Sequence, residues 1–88
     1  MPAREKLQEQ VNILREQLEQ EPPLPLEKRE ELQALIAELE VQIPLEEALQ
    51  NPSLADGVNL AVERFELEHP GIAGTLRNIV QTLGNIGI

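Results

Sequence analysis

Large aliphatic residues recur at intervals of four, three and four, and this periodicity limits the possible folds more than any other feature of the chain. Such spacing places residues on one stripe of an α-helix, whereas a half-buried strand requires alternation at every second position. The pattern therefore predicts helices with one apolar side each. It occurs at Leu7, Val11, Leu14 and Leu18, at Leu32, Ile36, Leu39 and Ile43, at Leu54, Val58, Ala61 or Val62 and Phe65, and at Ile72, Leu76, Ile79 and Leu83.

Prolines separate the first two of these stripes. The first helix is predicted over residues 3–20, and the Pro-rich segment 21–25 ends it because proline lacks an amide hydrogen. Pro25 is well placed to begin a second helix that continues to Ile43. Two stripes of equal length joined by a tight loop predict an antiparallel helical hairpin over residues 1–43. Pro44 then begins a linker, residues 44–53, with one short helical turn at 45–50.

The C-terminal part is predicted to form a pair of shorter helices over residues 54–88. Ser53, with Asp56 three residues later, resembles an N-cap followed by an acid, which predicts a third helix over 54–68. Gly57 inside it costs about 1 kcal/mol relative to alanine, which indicates a close neighbour or a frayed first turn. Pro70 begins a fourth helix that ends near Leu83, with Gly84 as its C-cap and 85–88 as a tail. We expect one all-α domain over residues 1–88.

The size of the chain favours self-association. A chain of 88 residues has room for only a modest core, and aliphatic residues must supply it because there is one phenylalanine and no tryptophan or tyrosine. A hairpin covers only one side of each apolar stripe, and so many aliphatic residues exceed what short helices can bury alone. We therefore expect a homo-oligomeric helical bundle, a homodimer.

The charge of the chain bears on its partners. The net charge is −9, and most of the acids lie in residues 1–50. Direct binding to nucleic acid requires clustered cations, and anionic lipid would repel so acidic a chain, so neither partner is expected. The sequence has no cysteine, no signal peptide and no apolar run that could span a membrane. These features fit a reducing compartment, and we expect a cytoplasmic protein.

His69 is the residue that a search for a functional site would select, because it is the lone histidine and Glu66 and Glu68 are close to it in sequence. These two acids point in different directions on a helix, and one histidine is too few for a zinc site. The favoured role for His69 is structural, either capping the amides that open the fourth helix or packing at the turn; an acid/base or ligand role is the lesser alternative. We predict no catalytic, cofactor-binding or metal-binding residues, and no cofactor.

Gly71, Ala73 and Gly74 make one side of the fourth helix small. Small residues let another backbone approach closely. We expect an internal crossing with the third helix here, and a subunit interface is the alternative.

The strings AVERFELEHP at 61–70 and LRNIVQTLGNIGI at 76–88 resemble the C-terminal signature of a small bacterial family, domain-of-unknown-function family 4404. Its members pair a Glu/Leu-rich helical half with a motif similar to VERFE, then HP, then a terminal helix ending in Gly-Ile. The resemblance implies a short, soluble helical protein and attaches no activity to it. The matching positions are Val62, Glu63, Arg64, Phe65, Glu66, His69, Pro70, Leu76, Gly87 and Ile88.

The sequence thus favours a non-enzymatic protein–protein interaction or regulatory module. No nucleophile, base and oxyanion donor can be assembled from these residues, so we do not expect an enzyme. The alternative is an acidic decoy that occupies a basic, nucleic-acid-binding partner, since the glutamates of the first two helices form an acidic surface.

Overall fold

The structure, a computed structural model, describes residues 2–20 and 23–86 of the chain. Regular structure in these residues is helical throughout, which confirms the all-α prediction. The elements are α1 (Pro2–Leu18), α2 (Leu26–Gln42), α3 (Glu46–Leu49), α4 (Pro52–Phe65) and α5 (Pro70–Ile86). None of these helices is both long enough and apolar enough to cross a lipid bilayer.

Helices α1 and α2 form the predicted antiparallel hairpin. Near the end of α1, Glu19 pairs with Arg29 at the start of α2 at 3.1 Å, and the Arg29 guanidinium also donates to the carbonyl of Leu18. One turn earlier, Arg15 pairs with Glu40 towards the other end of α2. The hydrogen bond to Glu40 and its charge raise the pKa of Arg15 above the ordinary value. The (i, i+4) pair that the spacing of Arg15 and Glu19 favours is replaced by these two pairs between the helices.

Helix α5 lies between α4 and α1 and packs against both, while α1 packs against α2. The four predicted stripes meet in one core, in which Leu7, Leu14, Leu32, Phe65 and Ile79 are fully buried. Each helix therefore turns its apolar side toward the others, as the periodicity predicts. Ile13 does not belong to the stripe of α1, and its side chain is exposed.

Two predicted helix boundaries are wrong at α4. The helix begins at Pro52, not at Leu54, and the capping residue is Asn51, whose side-chain oxygen accepts a hydrogen bond from the backbone amide of Ser53 at 2.9 Å. Asparagine is as good an N-cap as serine, and proline is favoured in the first turn of a helix. The helix also ends at Phe65, three residues before the predicted end.

The predicted end of the last helix is also wrong. Helix α5 continues through Gly84 to Ile86, so it is as long as α1 and α2. Gly84 does not take the left-handed conformation of a C-cap, and half-buried Ile86 packs against the core, which favours one more helical turn. The last two positions of the signature, Gly87 and Ile88, lie outside the described residues.

The α1–α2 hairpin does not leave its seam open, because α4 and α5 of the same chain complete the core. The radius of gyration is 12.3 Å, close to the ~12 Å expected for a compact chain of this length. The area argument for a homodimer is therefore weaker than the sequence indicates, and the dimer stays a prediction.

Candidate functional site

His69 packs at the turn between α4 and α5. Its ring centroid lies 5.9 Å from that of Phe65, with the ring planes tilted by 55°. Among the hydrogen bonds of the described residues none involves the imidazole, so packing, one of the two structural roles expected for His69, is the role that the structure displays. Glu66 pairs instead with Arg77 of α5 at 3.3 Å, and Glu68 is exposed. Glu68 and His69 line the same surface pocket, but Glu66 does not, so the structure does not bring the histidine and both acids into one site.

Metal-ligating side chains do not converge elsewhere in residues 2–20 and 23–86, where no group of three or more histidines and acids is close enough to hold an ion. Thr75 and Thr82 are buried, and their hydroxyls donate to the carbonyls of Gly71 and Asn78, one turn earlier on α5. These hydroxyls therefore have a local partner in the helix backbone.

Gly71 contacts α1 rather than α4. The Gln17 side-chain amide donates to the Gly71 carbonyl at 3.1 Å, and a Cβ at Gly71 would lie 3.7 Å from the same nitrogen. A Cβ at Gly74 would have no neighbour within 4 Å. Helix α5 does pack against α4, the third of the predicted helices, but the neighbour of Gly71 is α1, so the expected crossing is wrong at this one position.

The VERFE segment forms the contact between the end of α4 and the start of α2. Phe65 is fully buried, and the Lys28 ammonium lies 5.2 Å from the centre of its ring. Lys28 also donates to the carbonyl of Arg64 at 2.9 Å, which supplies a cation at the C-terminal end of α4. The Arg64 guanidinium pairs with Glu31 of α2 at 3.1 Å. The segment therefore holds the two helices together at this end.

Beside this contact, residues of α2 and α4 line a groove of about 400 Å³. Leu35 is half-buried at its floor beside buried Ala61, whereas the side chain of Leu60 is 60% exposed on the α4 wall. Glu31 and Glu38 line the α2 side. The complete lining consists of Glu31, Ala34, Leu35, Glu38, Gly57, Leu60, Ala61 and Arg64. The groove therefore exposes an apolar surface between charged edges.

Gly57 keeps this groove open on the α4 side. A Cβ built on Gly57 meets no heavy atom within 4 Å, and its φ is outside the left-handed region. Neither predicted explanation for this glycine therefore applies, because it has no close neighbour and it lies well inside the helix. The open space at Gly57 is instead part of the groove.

The surroundings of the groove are strongly acidic. Glu31 and Glu38 line it, and four further exposed acids of α2 and α4 lie, along the sequence, within about one helical turn of lining residues. Of the two cations at this end, Lys28 donates to the carbonyl of Arg64, and the Arg64 guanidinium is paired with Glu31, one of the two lining acids. The four additional acids are Glu27 and Glu30 on α2 and Asp56 and Glu63 on α4, all exposed.

The groove was not predicted from the sequence, although Leu35 packs against the core beside the buried stripe of α2. Leu60 gives the best signal for it, because this large apolar residue lies off the buried stripe of α4. The signal alone is weak, since Leu67, in the turn after α4, is 93% exposed and lines no part of the groove.

A family model described as "Domain of unknown function (DUF4404)" matches residues 7–88, which confirms the resemblance found in the sequence. No curated protein and no solved structure matches the chain significantly.

Proposed function

The chain belongs to a family that is described only as a domain of unknown function (DUF4404), and on that premise we propose from its structure that it is a non-enzymatic interaction module. It binds another protein through the groove between α2 and α4, and regulation follows from that binding. The observation that carries the proposal is the groove itself, with Leu60 exposed on its wall and Leu35 at its floor.

An exposed apolar groove is more consistent with a role in binding a partner than with a role in stabilising the fold. When a partner covers an exposed leucine, the free energy falls by about 25 cal/mol for each Å² of apolar surface removed from water. An exposed leucine beside an open cleft therefore favours association. Isolated exposed apolar residues are common on monomers, but here Leu60, Leu35, Ala34 and Ala61 are contiguous. Charged groups at the edge would orient the partner.

The experiment is capture of proteins from a lysate of the source cells on the immobilised chain, with Leu60→Glu and Leu67→Glu compared with the unchanged protein. Both leucines are exposed, so neither substitution should change stability by more than about 0.5 kcal/mol. We expect Leu60→Glu to lose the captured protein and Leu67→Glu, outside the groove, to retain it. Equal capture by all three would contradict docking in the groove.

One observation favours the acidic decoy as a second candidate. Glu5, Glu9 and Glu16 lie on the exposed side of α1, opposite its buried stripe. These acids extend over about 16 Å of helix. A partner bound there would be released by salt, and by the double substitution Glu9→Gln and Glu16→Gln, but not by Leu60→Glu.

A further inference from the structure

We propose that the ligand of the α2–α4 groove is an amphipathic helix whose flanks are basic. This inference rests on the proposed interaction function and adds the chemical class of the partner. It is carried by the shape of the groove, the acids around it and the open position at Gly57.

The walls of the groove favour a helical ligand over an extended one. Both walls are α-helices, whose backbone groups are already bonded within α2 and α4. An extended segment would therefore find no sheet edge to pair with, whereas a helix satisfies its own backbone hydrogen bonds. From Glu31 to Glu38 and from Gly57 to Arg64 the groove follows about two turns of each helix. That length accommodates apolar side chains at positions i, i+3 or i+4, and i+7 of a bound helix.

The acids around the groove favour a ligand that has basic residues beside its apolar stripe. Six acids line or flank the groove, against the two cations Lys28 and Arg64. Arg64 is paired with Glu31, and Lys28 donates to a backbone carbonyl. The other five acids take part in none of the ion pairs among the described residues. Lysine or arginine on both sides of the apolar stripe of a ligand would lie opposite these carboxylates. A second copy of the chain, with net charge −9, would instead bring further negative charge to an acidic surface.

Gly57 allows the ligand to approach the α4 wall. Glycine inside a helix is unfavourable, and no contact within the chain requires the missing side chain here. A leucine at this position would project into the groove and occupy the volume that the ligand needs. Gly84 on α5 provides a matched control, because a Cβ there also meets nothing within 4 Å and α5 contributes no residue to the groove.

The test uses synthetic labelled peptides and the full chain, with binding measured by fluorescence anisotropy. The first peptide carries leucine at i, i+3, i+4 and i+7 and lysine and alanine elsewhere. Its acidic twin has glutamate in place of lysine, and a scrambled peptide has the composition of the first without the leucine stripe. We expect the basic amphipathic peptide alone to bind, and its dissociation constant to rise with salt.

The variants locate the binding site. Leu60→Glu and Gly57→Leu should each weaken binding of the basic amphipathic peptide by on the order of tenfold or more, while Leu67→Glu and Gly84→Leu leave it unchanged. Circular dichroism of each variant establishes that it is folded. Binding that survives both groove substitutions in folded protein would overturn the inference.

The remaining outcomes separate this inference from the proposed function. If Leu60→Glu abolishes capture from the lysate but the basic peptide does not bind, the interaction function stands and the basic helix is wrong. Equal binding of the acidic twin refutes charge selection, and equal binding of the scrambled peptide indicates a charge-driven decoy instead. A dimer that is seen by analytical ultracentrifugation and is dissociated by Leu60→Glu would identify a second copy as the occupant, which also overturns the inference.

Discussion

Replacing Gly57 with alanine should stabilise the protein. Glycine in a helix interior is about 0.8–1.0 kcal/mol less favourable than alanine, because it loses more backbone entropy on folding. Position 57 is the sixth residue of α4, and the added methyl group would meet no atom within 4 Å. It therefore causes no clash and gains no packing, so we expect the free energy of unfolding to rise by about 1 kcal/mol.

Thermal and urea unfolding followed by circular dichroism measure this change. For a domain of this size, 1 kcal/mol corresponds to a rise in Tm of about 4–8 °C. Gly84→Ala is the control, since Gly84 is also helical with open space around it but lies in the last turn, where helices fray. Its gain should therefore be smaller.

A fall in stability on Gly57→Ala would refute the reasoning, because it would mean that another group occupies the space beside α4 and that the groove is closed. A gain in stability in Gly57→Ala, together with loss of peptide binding in Gly57→Leu, would instead show that this position gives up stability to keep the groove open.

Three further outcomes test the local structure by the same unfolding measurements. Asn51→Ala should lower the free energy of unfolding by about 1 kcal/mol because it removes the N-cap of α4, and Ser53→Ala should lower it clearly less. A larger loss in Ser53→Ala would indicate that Ser53 is the cap. His69→Ala should cost about 0.5–1.5 kcal/mol through loss of the ring contact with Phe65, and His69→Phe should retain most of that energy; equal losses would argue against packing. Phe65→Ala should lower the free energy of unfolding by about 3–5 kcal/mol. This is a large part of the ~4–13 kcal/mol expected for the whole chain. A loss below about 1 kcal/mol would contradict the place of Phe65 in the core.

The helices and their buried sides could be predicted from the sequence because burial repeats with the helical period. Leu76 and Ile79, for example, belong to a stripe that is buried as expected. Helix ends were less predictable. At α4 two residues on either side of Pro52, Asn51 and Ser53, could both cap, and only the backbone path decides which side chain reaches an amide. At Gly84 the contact of Ile86 with the core, a tertiary interaction, outweighs the local stop signal.

The groove could not be predicted, because it depends on how α2 and α4 lie relative to each other in the folded chain. Spacing places Leu35 near the buried stripe of α2 and Leu60 outside that of α4, but it does not state that the two residues face the same cleft. The ion pairs show the same limit. Arg15 and Glu19 are neighbours on one helix, yet each pairs with α2, since the packing of two helices brings other charges closer.

The most direct test of the interaction function is to map the bound peptide on the protein by nuclear magnetic resonance. Amide signals of the chain would be followed while the basic amphipathic peptide is added. We predict that the largest shifts occur at Ala34, Leu35, Gly57 and Leu60, on the two walls of the groove. Shifts confined to the acidic side of α1, or no shifts at saturating peptide, would contradict the account.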